Sequence, residues 1–183
     1  MKSVIYPFLV GWFVLLLASC STTKYVPDGS YLLDGISIES DNKDINTSEL
    51  SLYLRQSPNS KLFSLFHTQL YLYNLSGRDS TKWVNKVLRR IGDAPVIFSE
   101  EEDERTRDQL TRAVRNLGYM GASVESITQT KKKKKKVTYR VTTGKPYIVR
   151  SLNYDIPDAT VWQYIQADSA NSLLHEGMIA NII

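Results

Sequence analysis

Apolar residues along this chain change their spacing several times, and each change marks an element. From Tyr31 to Ser40, Leu32, Ile36 and Ile38 fall on one face, which predicts a strand. Asp41-Asn42-Lys43-Asp44 reads as a turn, after which Asn46 and Glu49 have capping-box spacing ahead of Leu50, Tyr53 and Leu54, and Ser57-Pro58 ends that helix. Asn59 to Leu75 is crowded with Leu, Phe and Tyr but has no clean period. Two readings stay open there: a core-covering insertion, or an apolar patch that meets a membrane or partner. Ser80 to Ile91 returns to helical spacing, with Trp83, Val84, Val87, Leu88 and Ile91 on one face, Asp79 or Ser80 as cap and Gly92 at the end.

The strongest helical signal follows. Ser99 and Glu102 form a second capping box, Glu100, Glu101 and Asp103 load the positive end of the helix dipole, and Glu101–Arg105, Asp103–Arg107 and Asp108–Arg112 are acid-first pairs four apart. Leu110, Ala113, Val114 and Leu117 make the buried stripe, and Gly118 suits a left-handed terminus. The period then becomes two. Ala122, Val124 and Ser126 alternate with Ser123, Glu125 and Ile127, and Val137, Tyr139 and Val141 alternate beyond a lysine-rich turn, which predicts a hairpin. After Gly144-Lys145-Pro146 a strand is expected from Tyr147 to Ile156, then a helix opened by Pro157-Asp158. The result is an α+β chain of order β-α-α-β-β, followed by the start of a second copy.

The amino terminus carries a different kind of pattern. Met1-Lys2 precedes an apolar stretch from Val4 to Ala18, interrupted by Pro7 and Gly11, and small residues follow. That is the layout of an export signal, and it falls short of the ~20 residues a membrane-spanning helix needs. Leu17-Ala18-Ser19-Cys20 resembles the lipobox of bacterial lipoproteins. The resemblance implies a signal peptide over residues 1–19, a covalent lipid on Cys20 and a polar lipidated tether over residues 20–28. It also implies the outer membrane as destination, since Ser21 follows the Cys with no acidic residue near it.

The 183 residues are 42% apolar and 23% charged, ordinary values for a folded chain. A single Cys excludes a disulfide framework and a Cys-cluster zinc site. The net charge of +4 comes from one run, Lys131 to Lys136, without which acidic residues outnumber basic ones. Those lysines read as a solvated hairpin tip, with contact to anionic headgroups of a membrane or to an acidic partner as the alternative.

Two stretches bear a family resemblance. Asp108-Gln-Leu-Thr-Arg-Ala-Val-Arg-Asn-Leu-Gly-Tyr-Met-Gly-Ala-Ser-Val124 and Lys136-Val-Thr-Tyr-Arg-Val-Thr-Thr-Gly-Lys-Pro-Tyr-Ile-Val-Arg-Ser-Leu152 resemble a POTRA domain running into the next, as in the BamA/TamA family of outer-membrane assembly proteins. Cys20-Ser-Thr-Thr-Lys-Tyr-Val-Pro-Asp-Gly-Ser-Tyr-Leu-Leu33 is similar to the lipidated, TamA-like members. The resemblance implies a POTRA-like domain over 29–144, a three-stranded mixed sheet under two helices, with a helical and aromatic insertion at 59–91. It further implies a truncated second domain over 145–183, in a piece whose barrel is absent.

From the resemblance follow a periplasm-facing domain and strand addition of unfolded outer-membrane proteins, or of a periplasmic partner, to one open edge. The edge expected is Ala122, Ser123, Val124, Glu125, Ser126 and Ile127. The alternative is a lipid-anchored structural or interaction module, or a fragment without assembly activity. No enzyme is expected: His67 and His175 are isolated, no metal-ligand spacing occurs, and the acids of Glu100 to Glu104 are accounted for as a helix first turn. No cofactor beyond the lipid is expected, and no metal. Gly118-Tyr-Met-Gly121 superficially resembles a KH-domain loop, but it lies between a helix and a strand in an exported chain, so nucleic acid is not an expected partner.

Overall fold

The structure is a computed structural model that describes residues 22–62 and 67–181. The expected signal peptide, Cys20, and Phe63, Leu65 and Phe66 of the insertion lie outside the described residues. In chain order the elements are β1 (Leu32–Ser40), α1 (Thr47–Leu50), α2 (Thr68–Leu75), α3 (Trp83–Ile91), α4 (Glu100–Asn116), β2 (Ser123–Lys131), β3 (Lys134–Thr142) and α5 (Ala159–Ala167). A 3-10 turn, Ser51–Tyr53, extends α1.

The three strands form one sheet of order β1-β3-β2. Leu32 N donates to Lys133 O and Asp41 N to Val141 O, so β1 and β3 advance together and are parallel. The β2–β3 hairpin is antiparallel, which makes the sheet mixed. The architecture is α+β, as the sequence predicts.

The residues group into two compact units. Of the described residues, one comprises 22–37, 55–62, 67–103 and 127–138; the other comprises 38–54, 104–126 and 139–181.

In the first unit, Val26, Leu32 and Leu70 form a buried cluster against which Ile97 packs. The start of β1 has neighbours on both sides. Besides the bond to Lys133, Leu33 N donates to Val96 O, Phe98 N donates to Tyr31 O, and Leu32 and Ile97 form an antiparallel bridge. Two side-chain amides complete this short segment in place of another strand. Asn59 accepts from Val96 N (2.9 Å) and donates to Ala94 O (2.7 Å), while Gln56 accepts from Ser99 N (3.1 Å) and donates to Ile97 O (2.9 Å). Each amide satisfies one backbone donor and one acceptor, the pairing a neighbouring strand would otherwise supply.

The second unit buries Ile45, Leu50, Leu110, Ala113, Val114, Tyr119, Ala122, Val124, Tyr139 and Val141. Asn46 caps α1 by accepting from Ser48 N and donates to Glu49 Oε1, 2.8 Å away. At the other end of α4, Gly118 sits at φ +92, the left-handed region expected of it.

Beyond Gly144 the expected strand over Tyr147–Ile156 does not form. Tyr147 and Val149 bond to the backbone of Gly177, Met178 and Ala180 around one isolated antiparallel bridge, Ile148 with Ile179, and Ile148 stays 57% exposed. One bridge has too few partners to bury a strand face. The expected helix does form: Asp158 caps α5 by accepting from Thr160 N and Val161 N.

Candidate functional site

The expected edge is assembled by the hairpin. Ser123, Val124, Glu125, Ser126 and Ile127 lie in β2, which runs on to Lys131; Ala122 is buried immediately before it. Val124 points to the buried face and Glu125 to solvent. Because the order is β1-β3-β2, β2 ends the sheet. Lys133 O and Val141 O face β1, so the even-numbered residues of β3 present their amides to β2. Across the two-residue turn those residues pair with odd-numbered positions of β2. Alternation then aims the N–H groups of Thr128 and Thr130 away from the sheet. Both side chains are exposed.

The lysine run departs from a solvated tip. The turn is confined to Lys132 and Lys133, and Lys134 already belongs to β3. Lys132 takes φ +56, a conformation that costs a side-chain-bearing residue about 1 kcal/mol. Lys133 Nζ reaches Asp28 Oδ1 at 2.6 Å, and Lys134 Nζ reaches Asp34 Oδ1 at 3.2 Å. Lys135 Nζ lies 4.0 Å from the centre of the Phe98 ring and 4.9 Å from that of Tyr31, within cation–π range. Among the described residues Lys131, Lys132 and Lys136 have neither an acidic nor an aromatic partner. They line a cavity of about 740 Å³ with Thr22 and Thr23.

Asp34 is the charge centre of this region. Besides Lys134, its carboxylate has Lys61 Nζ at 4.0 Å and the buried His67 Nε2 at 3.4 Å. Burial pushes the Asp34 carboxyl up, but the Lys134 hydrogen bond and the charges of Lys134, Lys61 and His67 outweigh it and hold the group below its ordinary value. A carboxylate depressed by folding contributes stability that is present above its unfolded value, ~3.9, and is lost as pH falls through the folded value. Asp34→Asn is therefore expected to lower stability at neutral pH by about 1–2 kcal/mol and to flatten the acid limb of the stability curve. Urea midpoints recorded from pH 6 down to pH 2.5 check this; an acid limb as steep as in the parent would contradict it.

The described part of the expected tether is not free. Thr22 and Val26 are buried. Asn74 Nδ2 donates to Thr22 O (3.1 Å), Lys24 Nζ donates to Asn74 O (2.9 Å) and Ser76 O (2.8 Å), and Tyr25 Oη donates to Ser76 O (2.6 Å). Insertion helix α2 and its C-terminal turn thus hold the start of the chain. Polar composition suggested a linker because it does not show that these polar groups have backbone partners.

His67 leads into α2 beside Asp34, and His175 is exposed. Among the described residues no group of three His, Cys, Asp or Glu could hold a metal ion. Gly118 and Tyr119 of the KH-like stretch are occupied structurally, Gly118 as the left-handed helix end and Tyr119 Oη as acceptor from Asn42 Nδ2 at 2.9 Å.

The family profile described as "POTRA: Surface antigen variable number repeat" matches residues 31–144, well over half of the sequence. The chain belongs to the POTRA family. Its β1, the α1 and α4 helices, and the β2–β3 hairpin all fall within the matched range, with α2 and α3 between them. Comparison with curated proteins finds no match. Among solved structures, a crystal structure of Haemophilus influenzae BamA POTRA3-5 is similar at 15% identity, over 86% of this chain and 83% of that one, with a TM-score of 0.31. At that score the superposition bears no structural argument, and the POTRA assignment rests on the profile and on the sheet order.

Proposed function

We propose that this POTRA unit catches extended polypeptide by strand addition to β2, and that it serves outer-membrane protein assembly as a lipid-anchored, TamA-like member of the BamA/TamA family. Its substrate is a segment of an unfolded outer-membrane protein or of a periplasmic partner. Ala122 to Ile127 open the receiving strand, and Thr128 and Thr130 extend it. The carrying observation is the place of β2 at the end of the sheet, with outward amides on exposed positions. Backbone bonds then supply the affinity and tolerate many sequences, which suits a module that meets many unfolded chains.

Cys20 carries the lipid in this reading, residues 1–19 are removed, and the domain stands in the periplasm against the outer membrane. Residues 29–144 form the working unit, and 145–183 begin a second. The lipobox Leu17-Ala18-Ser19-Cys20 supports the anchor.

Thr128→Pro deletes one outward N–H without removing a ladder bond, since proline is tolerated where the N–H leaves the sheet. Thr128→Val keeps that N–H. Binding of a fluorescent peptide from an outer-membrane β-strand is expected to weaken about tenfold in the proline variant, through the lost bond and the added ring, and to stay within twofold in the valine variant. Circular dichroism confirms folding. A folded Thr128→Pro protein that binds as tightly as the parent removes the strand-addition reading.

A further inference from the structure

Helix α3 faces the wrong way for a soluble domain. Its apolar residues Trp83, Val84, Val87 and Ile91 are 75%, 46%, 46% and 51% exposed, whereas Asn85, at 9%, is the buried residue. The inversion has a structural cause. Asn85 accepts from Gly77 N (2.8 Å) and donates to Asp79 O (2.6 Å), and Arg89, one turn on, donates to Ser76 Oγ (3.2 Å) and Gly77 O (3.0 Å). These bonds tie the polar side of the helix to the turn that follows α2, leaving the apolar side to be covered by something else. Lys86 and Arg90 border that side along one edge, preceded by the N-cap residue Lys82, and all three are exposed with no acidic partner among the described residues. A short helix with an apolar face bordered by cations has the layout of a segment lying in a membrane interface.

The start of the described chain lies against this same pair of helices. Arg89 sits 5.6 Å from the centre of the Tyr25 ring, and Asn74 of α2 holds Thr22 O. Cys20 precedes Thr22 by two residues, a reach of ~7 Å at most. A lipid on Cys20 therefore tethers to a bilayer the same unit that carries α3, through the chain segment that α2 and Arg89 hold. Lys131, Lys132 and Lys136, on the cavity that Thr22 and Thr23 also line, add positive charge beside the same chain start.

We propose that α3 is a membrane-interface helix, with its Trp83–Ile91 face seated in the leaflet that holds the Cys20 acyl chains and Lys82, Lys86 and Arg90 at anionic headgroups. This rests on the lipid-anchor reading. The insertion then has two jobs: α2 clamps the anchored chain start, and α3 lays the domain down on the membrane.

The test uses the full chain, expressed in a Gram-negative host, with Trp12→Phe and Trp162→Phe leaving Trp83 as the sole tryptophan. The protein is purified from membranes, its intact mass at Cys20 is recorded, and it is reconstituted in vesicles of phosphatidylcholine with or without phosphatidylglycerol, some carrying brominated acyl chains. In anionic vesicles, Trp83 emission is expected to shift to the blue and to be quenched by the bromines. Lys82→Glu with Lys86→Glu and Arg90→Glu should reverse both effects while circular dichroism is unchanged, each neutralised cation weakening the contact about fivefold before reversal adds to it. Trp83 that remains in water in both vesicle types overturns the proposal, whatever the mass at Cys20. So does Trp83 shielded from aqueous iodide yet not quenched by the bromines, which would mean a protein partner. Quenching with an unmodified Cys20 supports the helix and removes the anchor, so the two failures are distinguishable.

Discussion

Gly92→Ala is expected to separate the two insertion helices, at a cost of about 2–3 kcal/mol. Gly92 ends α3 at φ −97, outside the left-handed region, so the position makes no use of glycine's backbone freedom. The position uses the missing Cβ. A methyl group there would overlap Tyr73 N and stand 2.7 Å from Gln69 O and 2.8 Å from Tyr73 Cα, all backbone atoms of α2. Backbone in a helix cannot swing aside as a long side chain can, so the helices must part. Parting them strains the bond from Asp93 N to Gln69 O (3.1 Å). Chemical denaturation followed by circular dichroism reads the loss. Gly121→Ala is the matched control: nothing lies within 4 Å of its Cβ, and a change within about 0.5 kcal/mol is expected. Equal losses at the two glycines would contradict the close approach at Gly92.

Leu32→Ala is expected to cost about 3 kcal/mol. Leu32 is fully buried with Val26 and Leu70, and its backbone pairs with Lys133 on one side and the Val96–Phe98 segment on the other. Removing its side chain leaves a cavity where the chain start, the first insertion helix and the sheet meet. The same variant should expose the Thr22–Val26 segment to limited proteolysis well before global unfolding. Leu52→Ala, at a residue 83% exposed, should leave the denaturation midpoint unchanged. A midpoint for Leu32→Ala within experimental scatter of the parent would contradict the placement of this core.

These two positions also show what the sequence could reveal. Signals confined to one element were legible: the Asn46 and Ser99 caps, the Gly118 terminus and the period-two hairpin. All follow from backbone chemistry within four or so residues. Signals that depend on a distant partner were not. The six lysines have no hydropathy pattern, so nothing local showed that Lys133, Lys134 and Lys135 turn toward Asp28, Asp34 and the Tyr31 and Phe98 rings. Helical spacing correctly grouped Trp83, Val84, Val87 and Ile91, yet periodicity says which residues share a face and not which way it points. The direction was set by the bonds of Asn85 and Arg89. Val96-Ile97-Phe98 was too short a run to register as a pairing segment, although three apolar residues between Pro95 and a helix cap were a usable hint. The strand expected from Tyr147 had the right alternation but no neighbouring strands. For the candidate edge, the hairpin was legible and its extension to Lys131 was not, because that extension runs into the lysines.

The most direct test of the central claim is residue-resolved amide hydrogen exchange on the full chain, with and without an extended peptide from an outer-membrane β-strand. An incoming strand must take up the outward N–H groups of β2, so exchange at Thr128 and Thr130 should slow on binding while Gln129, already bonded within the hairpin, changes little. Peptide binding that leaves Thr128 and Thr130 exchanging as before, with protection appearing elsewhere, would contradict it.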